Sequence, residues 1–160
     1  MQVGVDGFKK RWVAIAITDS AFREARIFPT FGELMTGYAN ARVIGVDMPI
    51  ALVEKGDREA DQAARDFLKG QSSSVFNAPP RPVLATKDYT EAQEISRRIS
   101  GKGISKQSFA IVPKIIEVGE FIGDERIHEV HPEVSFRLLN GGKQLGRKKT
   151  WGGLKARIGC

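Results

Sequence analysis

The stretch VGVDG at residues 3–7 is echoed by IGVDMP at residues 44–49. Each is a short apolar run that ends in an aspartate and then turns. Val3 and Val5 alternate with Gly4 and Asp6, the period-two pattern of a strand with one buried face. RVIGVDMP (42–49) is more continuously apolar, as in a strand covered on both sides within a parallel sheet. Parallel neighbours need a crossover, and TFGELMTGYANA (30–41) supplies one. There Thr30 is placed as N-cap, and Phe31, Leu34, Met35 and Tyr38 recur at helical spacing. A right-handed crossover sets strand 42–47 beside strand 2–6, about 4.8 Å away, and brings Asp6 and Asp47 together at their C-terminal ends. Two carboxylates about 4 Å apart repel by roughly 4 kcal/mol at an effective dielectric near 20. A shared proton, an arginine or lysine, or a hard divalent cation such as Mg²⁺ or Mn²⁺ relieves that repulsion. The plainer alternative makes Asp6 a turn residue with Gly7 and Asp47 a strand-end residue binding backbone amides.

The rest of the chain fits around this pair. Asp6-Gly7, between apolar runs, signals a hairpin into WVAIAIT (12–18), and FREARIF (22–28), whose alternation is imperfect, is a third strand. DREADQAARDFLK (57–69) reads as a helix with Asp57 as N-cap, with Ala60, Ala63, Ala64, Phe67 and Leu68 on one face and Gly70 as its stop. KDYTEAQEISRRIS (87–100) and SKQSFAIVPKIIEVGEFIG (105–123) are further helices, the second interrupted at Pro113. The Ser- and Pro-rich SSSVFNAPPRPVLA between them is irregular. RIHEVHP (126–132) is a last strand, EVSFRLL (133–139) begins a helix, and TWGGLKARIGC starts another. This order predicts an α/β mixed sheet, three antiparallel strands followed by parallel ones, with helices on both faces. It is the order of the ribonuclease-H-like fold. One domain over 1–160 with a helical insertion at about 57–123 is expected.

No apolar run approaches the roughly 20 residues of a membrane span. The N-terminus places its apolar run before its charges, the reverse of a secretory signal, and the single cysteine, Cys160, is terminal. A cytoplasmic location is the expectation. The net charge of +6 is unevenly spread. Residues 1–80 hold ten basic and ten acidic residues, whereas Arg137, Lys143, Arg147, Lys148, Lys149, Lys155 and Arg157 follow the last acid, Glu133. This basic segment, 137–157, suits either a nucleic-acid partner or a chain whose acidic counterpart lies elsewhere.

Further candidates surround the two aspartates. Glu129, on the last strand, is a third carboxylate for a site or an ordinary surface residue. His128 and His131 lack the spacing of a helical zinc pair. Arg58, Asp61 and Arg65 share a helix face that is either solvated and mutually paired or turned to hold a phosphate. GKGISKQ (101–107) lacks the phosphate-loop pattern and reads as a turn, although Lys102 and Lys106 could touch an anion at the next helix start.

VGVDGFKKRWVAIAI, IGVDMPIAL, READQAARDFL, SSVFNAPPRPVL, GKGISKQSFAIVPKIIEV and EVHPEVSF together resemble a bacterial and archaeal family of unknown function, commonly described as predicted nucleases of ribonuclease-H-like fold. The resemblance assigns the family's first-strand aspartate to Asp6 and its D-x-P aspartate to Asp47. It assigns the E-x-H-P-E motif to Glu129, His131, Pro132 and Glu133, and the Arg/Asp/Arg helix to Arg58, Asp61 and Arg65. It implies catalytic roles for Asp6, Asp47 and Glu129, with Mg²⁺ or Mn²⁺ held by Asp6 and Asp47. Phosphate contacts would come from Arg58, Arg65 and Lys102. Members of that family continue into a C-terminal helix with further aspartates, so this chain is expected to lack the C-terminal part of the fold. Three readings follow: a metal-dependent phosphodiesterase, an inactive or truncated nucleic-acid-binding or scaffold module (an oligomer would let it complete a site), and a phosphotransferase of the actin- and sugar-kinase-like kind.

Overall fold

The computed structural model describes residues 1–75, 77–146 and 148–159. Phe76, Arg147 and Cys160, each part of a sequence expectation, lie outside the described residues. The chain divides into two compact units, Met1–Arg58 with Asn77–Glu129, and Glu59–Phe76 with Val130–Cys160.

The first unit is built on β1 (Gln2–Phe8), β2 (Arg11–Thr18), β3 (Ala21–Phe28), β4 (Val43–Val46) and β5 (Ile127–Glu129), in the sheet order β3-β2-β1-β4-β5. The hairpin partners β1–β2 and β2–β3 are antiparallel, while β4 runs parallel to both β1 and β5. The first hairpin closes later than its Asp-Gly signal predicts. β1 runs on to Phe8, and the turn falls at Lys9-Lys10, where Lys9 adopts φ 54°. Asp6 and Gly7 therefore lie within the ladder, opposite Val13 and Trp12, and Asp6 is not a turn residue.

Strand alternation puts Val3, Val5, Trp12, Ala14 and Ala16 on one face, all buried. Phe31, Leu34 and Met35 of α1 (Phe31–Gly37) join this core, with Thr30 capping the helix by accepting from Glu33 N at 3.1 Å. Ile115 and Val118 of α5 (Val112–Gly119) complete it. The expectation of helices on both faces is not met over the antiparallel strands. Ile15, Phe22 and Ile27 on the opposite face are 47%, 69% and 54% exposed. β4, expected to be covered on both sides, buries Ile44 and Val46 and leaves Val43 and Gly45 half-buried.

The predicted long helix at 105–123 is two: α4 (Lys106–Ala110), capped by Ser105, and α5, with Pro113 in its first turn. α3 (Tyr89–Ser100) has Asp88 as N-cap and Gly101 at φ 69° as its left-handed stop. Its Ala92 packs with Val83, Ile104 and Val112 in a second small core. The segment expected to be irregular contains two short 3₁₀ turns, Ser72–Ser74 and Arg81–Ala85.

The second unit holds α2 (Glu59–Phe67), α6 (Pro132–Leu139) and α7 (Trp151–Ile158). α2 begins two residues beyond the expected Asp57 cap. Of the face that was expected, Leu68 is buried, but Ala60 and Ala63 are exposed and Asp61 is buried instead.

Candidate functional site

The parallel ladder decides where the two echoed aspartates meet. Gln2, Val3, Gly4 and Val5 pair with Val43, Ile44, Gly45 and Val46, and Asp47 N donates to Val5 O at 2.9 Å, extending the register by one residue. Asp6 and Asp47 are thus the next neighbours, one residue past the last pair of the parallel β1–β4 ladder. The chain then bends, with Met48 N donating to Val46 O at 2.8 Å. Asp6 is exposed and Asp47 half-buried.

Glu129 reaches the same end of the parallel strands on β5, opposite Val46, and so on the face of Val46 and Val5 rather than that of Asp6. Its carboxylate accepts from Ile50 N at 3.0 Å and from the Arg58 guanidinium. Arg58 also donates from Nε to Ala51 O at 2.9 Å and is buried, at 5% exposure. The Arg58–Glu129 pair ties the end of β5 to the loop after β4. Arg58 precedes α2 rather than sharing a solvated helix face. In the second unit Asp61 is buried and Arg65 half-buried. Lys102 is exposed and lies 3.6 Å from Asp57.

Two other motif residues are taken up within the second unit. Glu133 accepts from Arg157 at 2.5 Å, with both side chains nearly buried. His131 Nε2 lies 3.3 Å from Ser74 O, while its Nδ1 is buried without a hydrogen-bond partner among the described residues. Among the described residues no group of three or more His, Cys, Asp and Glu side chains is arranged to hold a metal.

Sequence reasoning missed a cation beside the acidic edge. Lys114 of α5 is buried at 8% exposure, donates to Arg11 O at 2.7 Å, and stands 4.0 Å from the Trp12 ring centroid. Burial lowers its pKa, against the opposing pull of Glu117 and Asp6. Glu117, one turn on, accepts from Trp12 Nε1 at 2.8 Å and from Phe31 N at 2.9 Å. The signal for both was a lysine and a glutamate within the otherwise apolar VPKIIEV, but their partners lie some hundred residues away in sequence.

Fold and site define an α/β protein with a five-stranded mixed sheet and two carboxylates at the end of its parallel β1–β4 ladder. Over residues 4–160 the chain matches the family described as Protein of unknown function (DUF429), and it belongs to that family. No curated protein and no solved structure matches it. No helix among the described residues is long and apolar enough to cross a membrane.

Proposed function

We propose that the chain is a metal-dependent phosphodiesterase of ribonuclease-H-like fold, acting on nucleic acid. The observation that carries this is the Asp47 N to Val5 O bond, which sets Asp6 and Asp47 side by side at the end of the parallel ladder. The donor set fits a hard cation: two carboxylates from adjacent strands, with room for water and phosphate oxygens in the remaining positions. Asp6 and Asp47 would hold Mg²⁺ or Mn²⁺, which when bound supplies an activated water and neutralises charge on the phosphate. Lys102, exposed in the same unit as the two aspartates, would steer the phosphate chain. Arg58 and Glu129 hold the loop carrying Asp47 through each other and through Ile50 and Ala51, so here they position rather than react.

The test is cleavage of single- and double-stranded DNA and RNA with Mg²⁺ or Mn²⁺. Asp6→Asn and Asp47→Asn are each expected to lower the rate by at least about a hundredfold while leaving the circular-dichroism spectrum unchanged. No cleavage by the wild type, or cleavage unchanged in both variants, overturns the proposal. The engagement of Glu129 by Arg58 favours a second reading, a binding module without chemistry. That reading predicts binding of the same nucleic acids with no cleavage and no response to chelation.

A further inference from the structure

On β2 and β3 the uncovered face of the antiparallel sheet is apolar in three consecutive rows, each bordered by a residue of β1. Ile27, Val13 and Asp6 lie abreast, then Ala25, Ile15 and Gly4, then Phe22, Ile17 and Gln2. Phe8 extends the face at one end and is 50% exposed. A Cβ built on Gly4 meets nothing within 4 Å, so the middle row is open to solvent.

A break in register builds the third row. From Ala16 to Ile17 the β3 partner jumps from Glu24 to Phe22, leaving Arg23 as the extra residue of a bulge. Strict alternation would send Phe22 to the face of Glu24, Arg26 and Phe28. The bulge instead sets it opposite Ile17, among Ala25, Ile15 and Ile27. The bulge thus leaves a phenylalanine with 69% of its surface open to solvent in the isolated chain.

We propose that this face docks against the same face of a second copy of the chain, sheet on sheet about a two-fold axis. Three observations select that occupant. First, large side chains have full areas on the order of 200 Å². At the exposures of Phe8, Ile15, Phe22 and Ile27, these four leave roughly 400–450 Å² of apolar surface open. Val13, Ile17, Ala25 and Gly4 carry the patch toward the ~800 Å² per partner of a stable interface. Second, the free edge of β3 carries Arg23, Glu24 and Arg26, which disfavour strand addition at the edge and leave the face as the route of association. Third, the patch is apolar at its centre and carries charge at its margin, from Asp6, Arg11 and Lys9, whose ammonium stands 5.5 Å from the Phe8 ring centroid. A two-fold interface then needs no complementary surface beyond the patch itself.

Sedimentation equilibrium of the full chain over a concentration series tests this. The expected result is a reversible dimer. Phe22→Ser and Ile15→Thr should each weaken it by at least about tenfold, and the double variant should be monomeric with an unchanged circular-dichroism spectrum. Ile27→Thr, which keeps a β-branched residue in the strand, gives an independent variant in case Phe22→Ser loses the bulge. A wild type monomeric across the series overturns the proposal. So does a dimer indifferent to all three sheet substitutions, or one abolished instead by Trp151→Ser on α7.

Discussion

At Gly7 the missing side chain lets Lys114 reach the backbone of the first hairpin. A Cβ there would stand 2.7 Å from Lys114 Cδ and 3.0 Å from Cε, and the ammonium beyond is held by Arg11 O and the face of Trp12. The glycine of the DG pair is thus explained by packing, with the turn two residues further on. Gly7→Ala should cost ~1–3 kcal/mol as the lysine stem is displaced, read as a lowered urea midpoint. Lys114 itself has a pH signature. Burial depresses its pKa below 10.5, so in the alkaline window between the depressed value and 10.5 the unfolded chain holds a proton that the folded one has released. Stability then rises with pH through that window. Wild type should gain on Lys114→Met as pH climbs toward 10.5. A constant difference between their urea midpoints would show that the lysine is not desolvated. Asp124 titrates at the other extreme. The Arg126 guanidinium, at 2.6 Å, holds its carboxyl at about 2. That contribution is complete above the ordinary carboxylate pKa and fades as pH falls toward 2.

Helix starts show how a local signal and a distant one compete. Asp88 caps α3 by accepting from Glu91 N at 3.0 Å, and Asp88→Ala should cost about 1 kcal/mol in a urea titration. Asp57 carries the same residue-type signal, yet α2 starts beyond it and its carboxylate faces exposed Lys102 at 3.6 Å. Asp57→Ala should change stability by less than ~0.5 kcal/mol in the same titration. The reason lies in Arg58, which is drawn into the pair with Glu129 and so keeps the chain out of helix at residues 57 and 58. The imperfect alternation of β3 likewise reflects its bulge at Arg23, which pairing with β2 reveals and the FREARIF pattern alone does not.

Across the whole chain, net charge overstates what is free to meet an anion. Of the seven basic residues after Glu133, Arg137 donates to Gly142 O at 2.8 Å and to Phe67 O, and Arg157 to Glu133, Gly153 and Gly146. Lys143, Lys148, Lys149 and Lys155 are exposed. Replacing these four by serine should flatten the salt dependence of DNA or RNA binding by up to about 0.9 per lysine in the log–log slope. Arg157→Ala should instead lower the melting temperature, because it strands the nearly buried Glu133. A slope unchanged by the lysine substitutions would remove the segment from any nucleic-acid interface.

The helix cap at Thr30, the end of β4 at Asp47 and the parallel pairing that brings Asp47 beside Asp6 were legible in residue order alone. They depend on contacts within a few positions, or on the handedness that every crossover obeys. The pairing of Glu129 with Arg58, the lodging of Lys114 beside Trp12, and the open face created at Phe22 came only from the folded chain. Each depends on partners brought together by sheet register, and register is a property of strands aligned in space, which no single stretch of sequence carries.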